Sequence, residues 1–265
     1  MNNIYFSLCF LLLCNAVQAA PLTLQNAQNQ AFQIHAYPAS AAKAPTIIAL
    51  HGCGGMLNPR GEPNLRTHTY AKLLNAQGWH VVFLDSLTPR GVKSVCGGSN
   101  EVTQAQRLQD TRAALAHAAA QPWVDAQRIA ILGWSHGGTA TLLASAKGVD
   151  YAVQPKAAVA FYPGCGDASR FAPFNWQPAG PLLMLLGEAD DWTAPQPCQA
   201  LALRHGIEHI TYPNAHHGFD SDAPVRPNPS VISRSTGKPV HSGGEPVAKA
   251  DSQARLVAFF KKAFE

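Results

Sequence analysis

The chain has 265 residues, of which 46% are hydrophobic and 14% charged, with a net charge of +4. That length supports one sizeable core and falls short of two full domains, and scattered basic residues with no run of three give no nucleic-acid platform. The long apolar stretch from Ile4 to about Val17 is too short to span a bilayer comfortably, so no membrane helix is expected in the mature protein.

That first stretch reads as an address. The apolar run Ile4 to Cys14 is followed by Val17-Gln18-Ala19, with small residues where a signal peptidase needs them, and cleavage is expected after Ala19. Residues 1–19 are thus a signal peptide, 20–265 a single domain, and the location periplasmic or secreted. Four cysteines remain after cleavage: Cys53, Cys96, Cys165 and Cys198. An even count in an exported chain favours disulfides, and three pairings are open. No two of them have zinc-finger spacing.

Downstream, Ala31 to Tyr37 predicts an antiparallel edge strand. Short apolar, β-branched runs then alternate with longer helical patterns. Thr46–Leu50 precedes Leu65–Gln77, Val81–Leu84 precedes Glu101–Ala120, and Ile129–Leu132 precedes Gly138–Ala146. Ala157–Phe161 is a further strand, Leu182–Leu186 precedes the helix Cys198–His205, and Ile207–Tyr212 is the last strand. Nearly unbroken apolar strands alternating with helices predict an α/β fold, a mostly parallel, doubly wound sheet with helices on both faces. Ser221 to Glu245, rich in Pro, Ser and Gly, is read as a long loop, either a lid or an ordered surface excursion. Asp251 to Phe264 closes the chain as a helix with Leu256, Phe259 and Phe260 on one face.

The chemistry concentrates where strands end. Arg128 to Leu132 runs into Gly133-Trp134-Ser135-His136-Gly137-Gly138, and an Ala/Leu-rich helix follows. GxSxG between a strand and a helix is the setting in which a sharp turn exposes a serine nucleophile, so Ser135 is the candidate. A serine hydroxyl needs a base to take its proton and a third group to orient that base. Leu182–Leu186 leads into Gly187-Glu188-Ala189-Asp190-Asp191-Trp192, which places carboxylates at a strand end; Asp190 is preferred, with Asp191 and then Glu188 as alternatives. Ile207–Tyr212 leads into Pro213-Asn214-Ala215-His216-His217-Gly218, where His217 is the better base candidate. The order Ser135, Asp190, His217 is the order of α/β-hydrolases.

A tetrahedral intermediate also needs backbone donors. Thr46–Leu50 ends in His51-Gly52-Cys53-Gly54-Gly55, and the amides of Cys53 and His136 are the expected oxyanion donors. Trp134 and Trp192 are read as substrate-contacting, and Arg90 either binds a substrate carboxylate or anchors its own loop. No metal or cofactor is expected. A His205/His209/His216 metal cluster receives little weight, because these residues span a helix end and a strand.

Together these segments resemble the dienelactone hydrolase family of α/β-hydrolases: HGCGG at 51–55, DSLTPRG at 85–91, GWSHGG at 133–138, FYPGC at 161–165, GEADDWTAP at 187–195 and HHGFD at 216–220. The resemblance implies an α/β-hydrolase fold with Ser135 as nucleophile, Asp190 as acid and His217 as base. It also implies the pairings Cys53–Cys96 and Cys165–Cys198, both at the active-site edge of the sheet. The enzyme that names the family uses cysteine where this chain has Ser135 and works inside the cell, so a different ester or lactone is the expected small-molecule substrate. An exported polyester depolymerase or a peptidase is the alternative within enzymes, and a non-catalytic binding protein on the same fold the alternative outside them.

Overall fold

The computed structural model describes residues 20–166, 176–233 and 236–265. The expected signal peptide, residues 1–19, lies outside the described residues. Among the described residues ten strands are formed: β1 (Leu22–Gln25), β2 (Ala31–Tyr37), β3 (Ala44–Leu50), β4 (His80–Asp85), β5 (Val124–Trp134), β6 (Ala157–Phe161), β7 (Leu182–Gly187), β8 (Glu208–Tyr212), β9 (Arg226–Ile232) and β10 (Pro239–Ser242). The helices are α1 (Leu65–Asn75), α2 (Gln104–Ala119), α3 (His136–Ala144), α4 (Pro195–His205) and α5 (Pro246–Phe264).

Eight strands form one sheet in the order β1-β2-β4-β3-β5-β6-β7-β8. The pairs from β4 to β8 are parallel, whereas β2 runs antiparallel to both β4 and β1. The antiparallel reading of Ala31–Tyr37 therefore holds, but its placement at the edge does not. β1 lies outside it, a four-residue strand too short and too exposed to carry a hydrophobic pattern.

Because side chains alternate along a strand, each central strand feeds two cores. Ile48, Leu50, Val82, Leu84, Ile129 and Ile131 pack with Leu115 of α2, Leu142 of α3 and Ala202 of α4 on one face. Ile47, Ala49, Val81, Phe83, Ala130 and Leu132 pack with Tyr70 and Leu74 of α1 and with Leu256 and Phe260 of α5 on the other. Burial on both faces is why these strands read as continuous apolar runs rather than alternating ones. Local signals set the helix starts: α2 opens on a capping box in which Thr103 accepts from the Gln106 amide and the Gln106 side chain accepts from Thr103 N–H.

The segment 221–245 is not a bare loop. Residues of β9 and β10 pair antiparallel into a small second sheet, with a register shift at Pro239/Val240. Three prolines in or beside β9 hid this strand from a pattern reading, since proline cannot donate to a ladder. The segment is fastened to the main body by Gly243 N–H donating to His217 O and by Glu245 N–H donating to Phe219 O, both at 3.0 Å. No helix among the described residues is long and apolar enough to cross a membrane.

Candidate active site

The serine turn follows directly from backbone crowding. β5 ends at Trp134, α3 begins at His136, and Ser135 between them is held at φ 54°, ψ −118°. Such a backbone is strained for any residue with a Cβ and persists only when its surroundings enforce it. Glycine is required two residues either side: a Cβ on Gly133 would lie 2.2 Å from Gly137 O, and one on Gly137 would lie 2.1 Å from Leu50 O. The Ser135 amide is fixed by donating to Phe161 O of β6 at 2.9 Å.

The C-terminal ends of β5, β7 and β8 bring three side chains into one hydrogen-bonded row. His217 Nε2 lies 2.9 Å from Ser135 Oγ, and His217 Nδ1 lies 2.8 Å from Asp190 Oδ2. All three residues are buried. Asp190 is itself clamped, Oδ1 accepting from the Trp192 and Thr193 amides at 2.9 and 2.8 Å, with Thr193 Oγ1 2.9 Å from Oδ2. With the carboxylate fixed on Nδ1, the imidazole presents Nε2 to the serine as a proton acceptor. Asp191 is directed elsewhere: its carboxylate takes the His241 amide at 2.8 Å and His241 Nδ1 at 2.9 Å. The geometry thus separates the two neighbouring aspartates, which local sequence could only rank.

Cys53 and His136 line the same cleft as Ser135. The His136 amide belongs to the first turn of α3, whose N–H groups point out of the helix end towards developing negative charge. Behind it, the buried Arg107 reaches from α2 to His136 Nδ1 at 2.9 Å and donates to His51 O at 2.8 Å, joining the two segments that carry the expected donors. Burial lowers Arg107 to about 10, which leaves it a cation at neutral pH. Burial and the Arg107 cation lower His51 to about 4, so its ring is neutral and acts as a structural acceptor for the Ser86 amide. Nothing local in the sequence distinguishes Arg107 from an ordinary helix arginine.

Both disulfides are formed as the family resemblance implied, Cys53–Cys96 and Cys165–Cys198. The first pins the turn after β3 to the loop after β4, and the second pins the loop after β6 to α4. Cys53, Cys96 and Cys165 all line the cleft. Each closes a loop of some tens of residues and contributes about 2–4 kcal/mol in the chain-entropy account.

Two expectations are corrected. Trp134 is 1% exposed and sits inside the core, its ring 4.6 Å from Tyr70 and stacked against Phe83 and Phe161. The strand end turns this side chain inward as it turns Ser135 outward, so it supports the elbow and cannot touch a substrate. Arg90 makes a bidentate pair with the buried Asp110, both bonds 2.8 Å, and donates to Ser86 O at 2.6 Å. Its guanidinium is consumed by anchoring the loop after β4. Trp192, by contrast, lines the cleft with its ring 4.6 Å from that of His217.

The cleft has a volume of about 1050 Å³. Ser230 to Ser233 of the hairpin form part of its wall, so the segment 221–245 helps build the site. Among the described lining residues there is no lysine or arginine, and the one carboxylate is Asp191.

Beneath the row lies a second polar cluster. Asp220, in the HHGFD segment, accepts from Tyr162 OH at 2.6 Å, from Tyr70 OH at 2.8 Å and from Arg66 at 3.1 and 3.2 Å. Tyr162 packs its ring 4.6 Å from that of His217, adopts φ 35°, and accepts from Thr193 Oγ1 at its carbonyl. Both residues lie in the quoted motifs, yet no spacing rule pairs position 162 with 220.

The supposed metal trio is not assembled: His205 ends α4 with its ring against Trp176, His209 is on β8, and His216 lies beyond it. Among the described residues, Asp191, His216 and His241 are the group whose donors converge.

A mostly parallel sheet with helices on both faces, a serine at a strained strand-to-helix turn, and an acid and a histidine on two later strand ends define an α/β-hydrolase-fold protein. The sequence model of the Dienelactone hydrolase family matches residues 31–264. The chain belongs to the dienelactone hydrolase family.

Among solved structures, a dienelactone hydrolase-like promiscuous phosphotriesterase from metagenomic libraries is similar with a TM-score of 0.64, 18% identity and coverage of 93% of this chain and 99% of that one. A hyperthermophilic esterase from the archaeon Pyrobaculum calidifontis is similar with a TM-score of 0.62, 15% identity and coverage of 92% and 82%. At these identities the likeness concerns the fold. No curated protein sequence matches the chain.

Proposed function

We propose that this chain is an exported serine hydrolase that cleaves neutral carboxylic esters or lactones through an acyl-enzyme on Ser135. The observation that carries the reading is the row Ser135–His217–Asp190, with contacts of 2.9 and 2.8 Å on a backbone strained at the serine. Ser135 Oγ attacks the carbonyl carbon while His217 Nε2 takes its proton. The tetrahedral oxyanion sits against the Cys53 and His136 amides, and its collapse expels the alcohol, which receives the proton from His217. Water then repeats the sequence on the acyl-enzyme and frees the acid.

Neutral substrates are favoured because Arg90 is spent on Asp110 and the described cleft wall offers Asp191 alone as a charge. Hydrolysis of p-nitrophenyl butyrate is therefore expected to exceed that of an ester of equal length ending in a free carboxylate by at least about tenfold, the effect of one unfavourable charge contact of some 1.4 kcal/mol. Fluorophosphonate labelling with peptide mapping should place the adduct on Ser135. Folded protein that neither labels nor turns over any neutral ester would overturn the proposal and leave a binding role on a hydrolase fold.

Export is supported by the apolar run Ile4–Cys14 and by two disulfides in one short chain. Amino-terminal sequencing of the periplasmic or secreted protein is expected to begin at Ala20; an intact Met1 on protein confined to the reducing interior would refute it.

A further inference from the structure

Immediately beside the acid and the base, a second constellation is built from their chain neighbours. Asp191 follows Asp190, His216 precedes His217, and His241 reaches in from β10. One donor atom from each of the three lies within 4.8 Å of the other two. The His216 and His241 rings stand 5.5 Å apart. The His241 amide holds Asp191 Oδ1 at 2.8 Å, which orients the carboxylate and turns Oδ2 towards the imidazoles. His216 Nδ1 is buried and makes no hydrogen bond to the protein.

We propose that Asp191, His216 and His241 form a site for a divalent transition-metal ion, Zn²⁺ by donor chemistry, that ties the loops after β7 and β8 to the β9–β10 hairpin. Two imidazoles and one carboxylate match zinc's preference for nitrogen and oxygen donors, whereas Mg²⁺ and Ca²⁺ select oxygen-rich sets. Ligands on tetrahedral zinc lie roughly 3.4 Å apart, given bonds near 2.0–2.1 Å, so the distances to His216 need to close by up to about 1.4 Å while the 2.9 Å Asp191–His241 contact opens slightly. That movement is available to His241, whose side chain is 44% exposed. Metal bonds to Asp191 Oδ2 and His241 replace the hydrogen bond now between them, and water completes the fourth position. The competing account is an ordinary Asp191–His241 hydrogen bond with the His216 ring tilted against His241; it leaves His216 Nδ1 without a hydrogen bond to the protein.

The three ligands sit on three chain segments, which gives the ion a definite role. The hairpin's Ser230–Ser233 wall the cleft, and its far end already pairs with the base through the His217–Ser242 bridge. An ion here cross-links that wall to the loops that carry Asp190 and His217, in the way a bound ligand stabilises whatever state assembles its site.

The test titrates chelator-stripped full-length mature protein with zinc chloride in a calorimeter, with magnesium chloride as the control. One equivalent of Zn²⁺ is expected to bind with a dissociation constant on the order of micromolar or tighter, accompanied by a rise in melting temperature and slower amide exchange over residues 226–242. Co²⁺ in its place should develop visible bands of a low-coordinate nitrogen–oxygen site. His241→Gln, at a half-exposed position, and His216→Ala should each weaken binding by at least about tenfold. Absence of stoichiometric Zn²⁺ binding would overturn the proposal. So would binding of equal strength in both histidine variants, which would assign the ion to other surface histidines, or Mg²⁺ binding as tight as Zn²⁺.

Discussion

Ser135→Ala is expected to lower kcat on p-nitrophenyl butyrate by about 10⁴- to 10⁶-fold while leaving the protein folded and KM within a few-fold. The size follows from the arrangement: without Oγ there is no covalent intermediate, and His217 is left to activate a water that nothing positions. His217→Ala is expected to cost nearly as much, since an unassisted serine hydroxyl is a poor nucleophile at neutral pH. Asp190→Asn should cost less, about 10³- to 10⁴-fold, because the ring remains packed between Tyr162 and Trp192 and loses mainly its tautomer and the stabilisation of its cation. Combining Ser135→Ala with His217→Ala should add almost nothing further, as expected for groups that act as one unit. The comparison with Asp191→Asn matters most for the assignment. Asp191 faces His241, so its loss should leave activity within about tenfold of wild type, far above Asp190→Asn. Steady-state kinetics on the four single variants decides this; a Ser135→Ala enzyme within tenfold of wild type would remove the serine from the mechanism.

Much of this site was legible in the sequence because strand ends are. Continuous apolar runs such as Ile129–Leu132 and Leu182–Leu186 mark strands buried on both faces, and whatever polar residue follows such a run stands at the active edge of the sheet. Ser135, Asp190 and His217 each follow such a run, and Gly133 and Gly137 are explained by backbone that passes at a distance only glycine allows. What stayed hidden lacks local periodicity. β1 is too short to show a pattern, and β9 is interrupted by prolines. Trp134 was misread because adjacency to the nucleophile says nothing of which side a side chain faces, and Arg90 stayed open between two roles because a lone arginine does not announce its partner twenty positions away on α2. The choice between Asp190 and Asp191 turned on Thr193 and His241, contacts made across 3 and 50 positions. The disulfide pairing was reached through family likeness alone, since spacing left three connectivities open.

Asp220→Ala is expected to be the most destabilising single change near the site, by about 3 kcal/mol at pH 7. Breaking a buried ion pair costs some 3–5 kcal/mol, and the lower end applies because Arg66 keeps 32% of its side chain in water. For a domain of this size the melting temperature should fall by roughly 6–12 °C. The carboxylate is 0% exposed and holds two buried phenols and a guanidinium together, so its removal leaves the Tyr70 and Tyr162 hydroxyls unsatisfied as well. Its charge state gives the effect a pH signature. Burial pushes the Asp220 carboxyl up, but the Arg66 cation and the bonds from Arg66, Tyr162 and Tyr70 outweigh it and hold it below the ordinary carboxylate value. A carboxyl depressed on folding contributes its full stability above the unfolded value near 3.9 and loses it as pH falls through the lower folded one. The stability gap between wild type and Asp220→Ala should therefore be full at pH 7 and shrink as the solution is acidified below about pH 4. Urea unfolding at pH 7 and pH 3 measures both gaps, and an equal gap at the two values would show that shape, not charge, is what Asp220 supplies. The same change should reach the chemistry, because Tyr162 packs on His217 and receives Thr193 at its carbonyl. Releasing its hydroxyl frees the ring that holds the base in line. At 25 °C, where the variant remains folded, kcat is expected to drop more than KM changes. Asp220→Asn, which keeps the shape and part of the hydrogen bonding, should restore most of that kcat while recovering little of the stability.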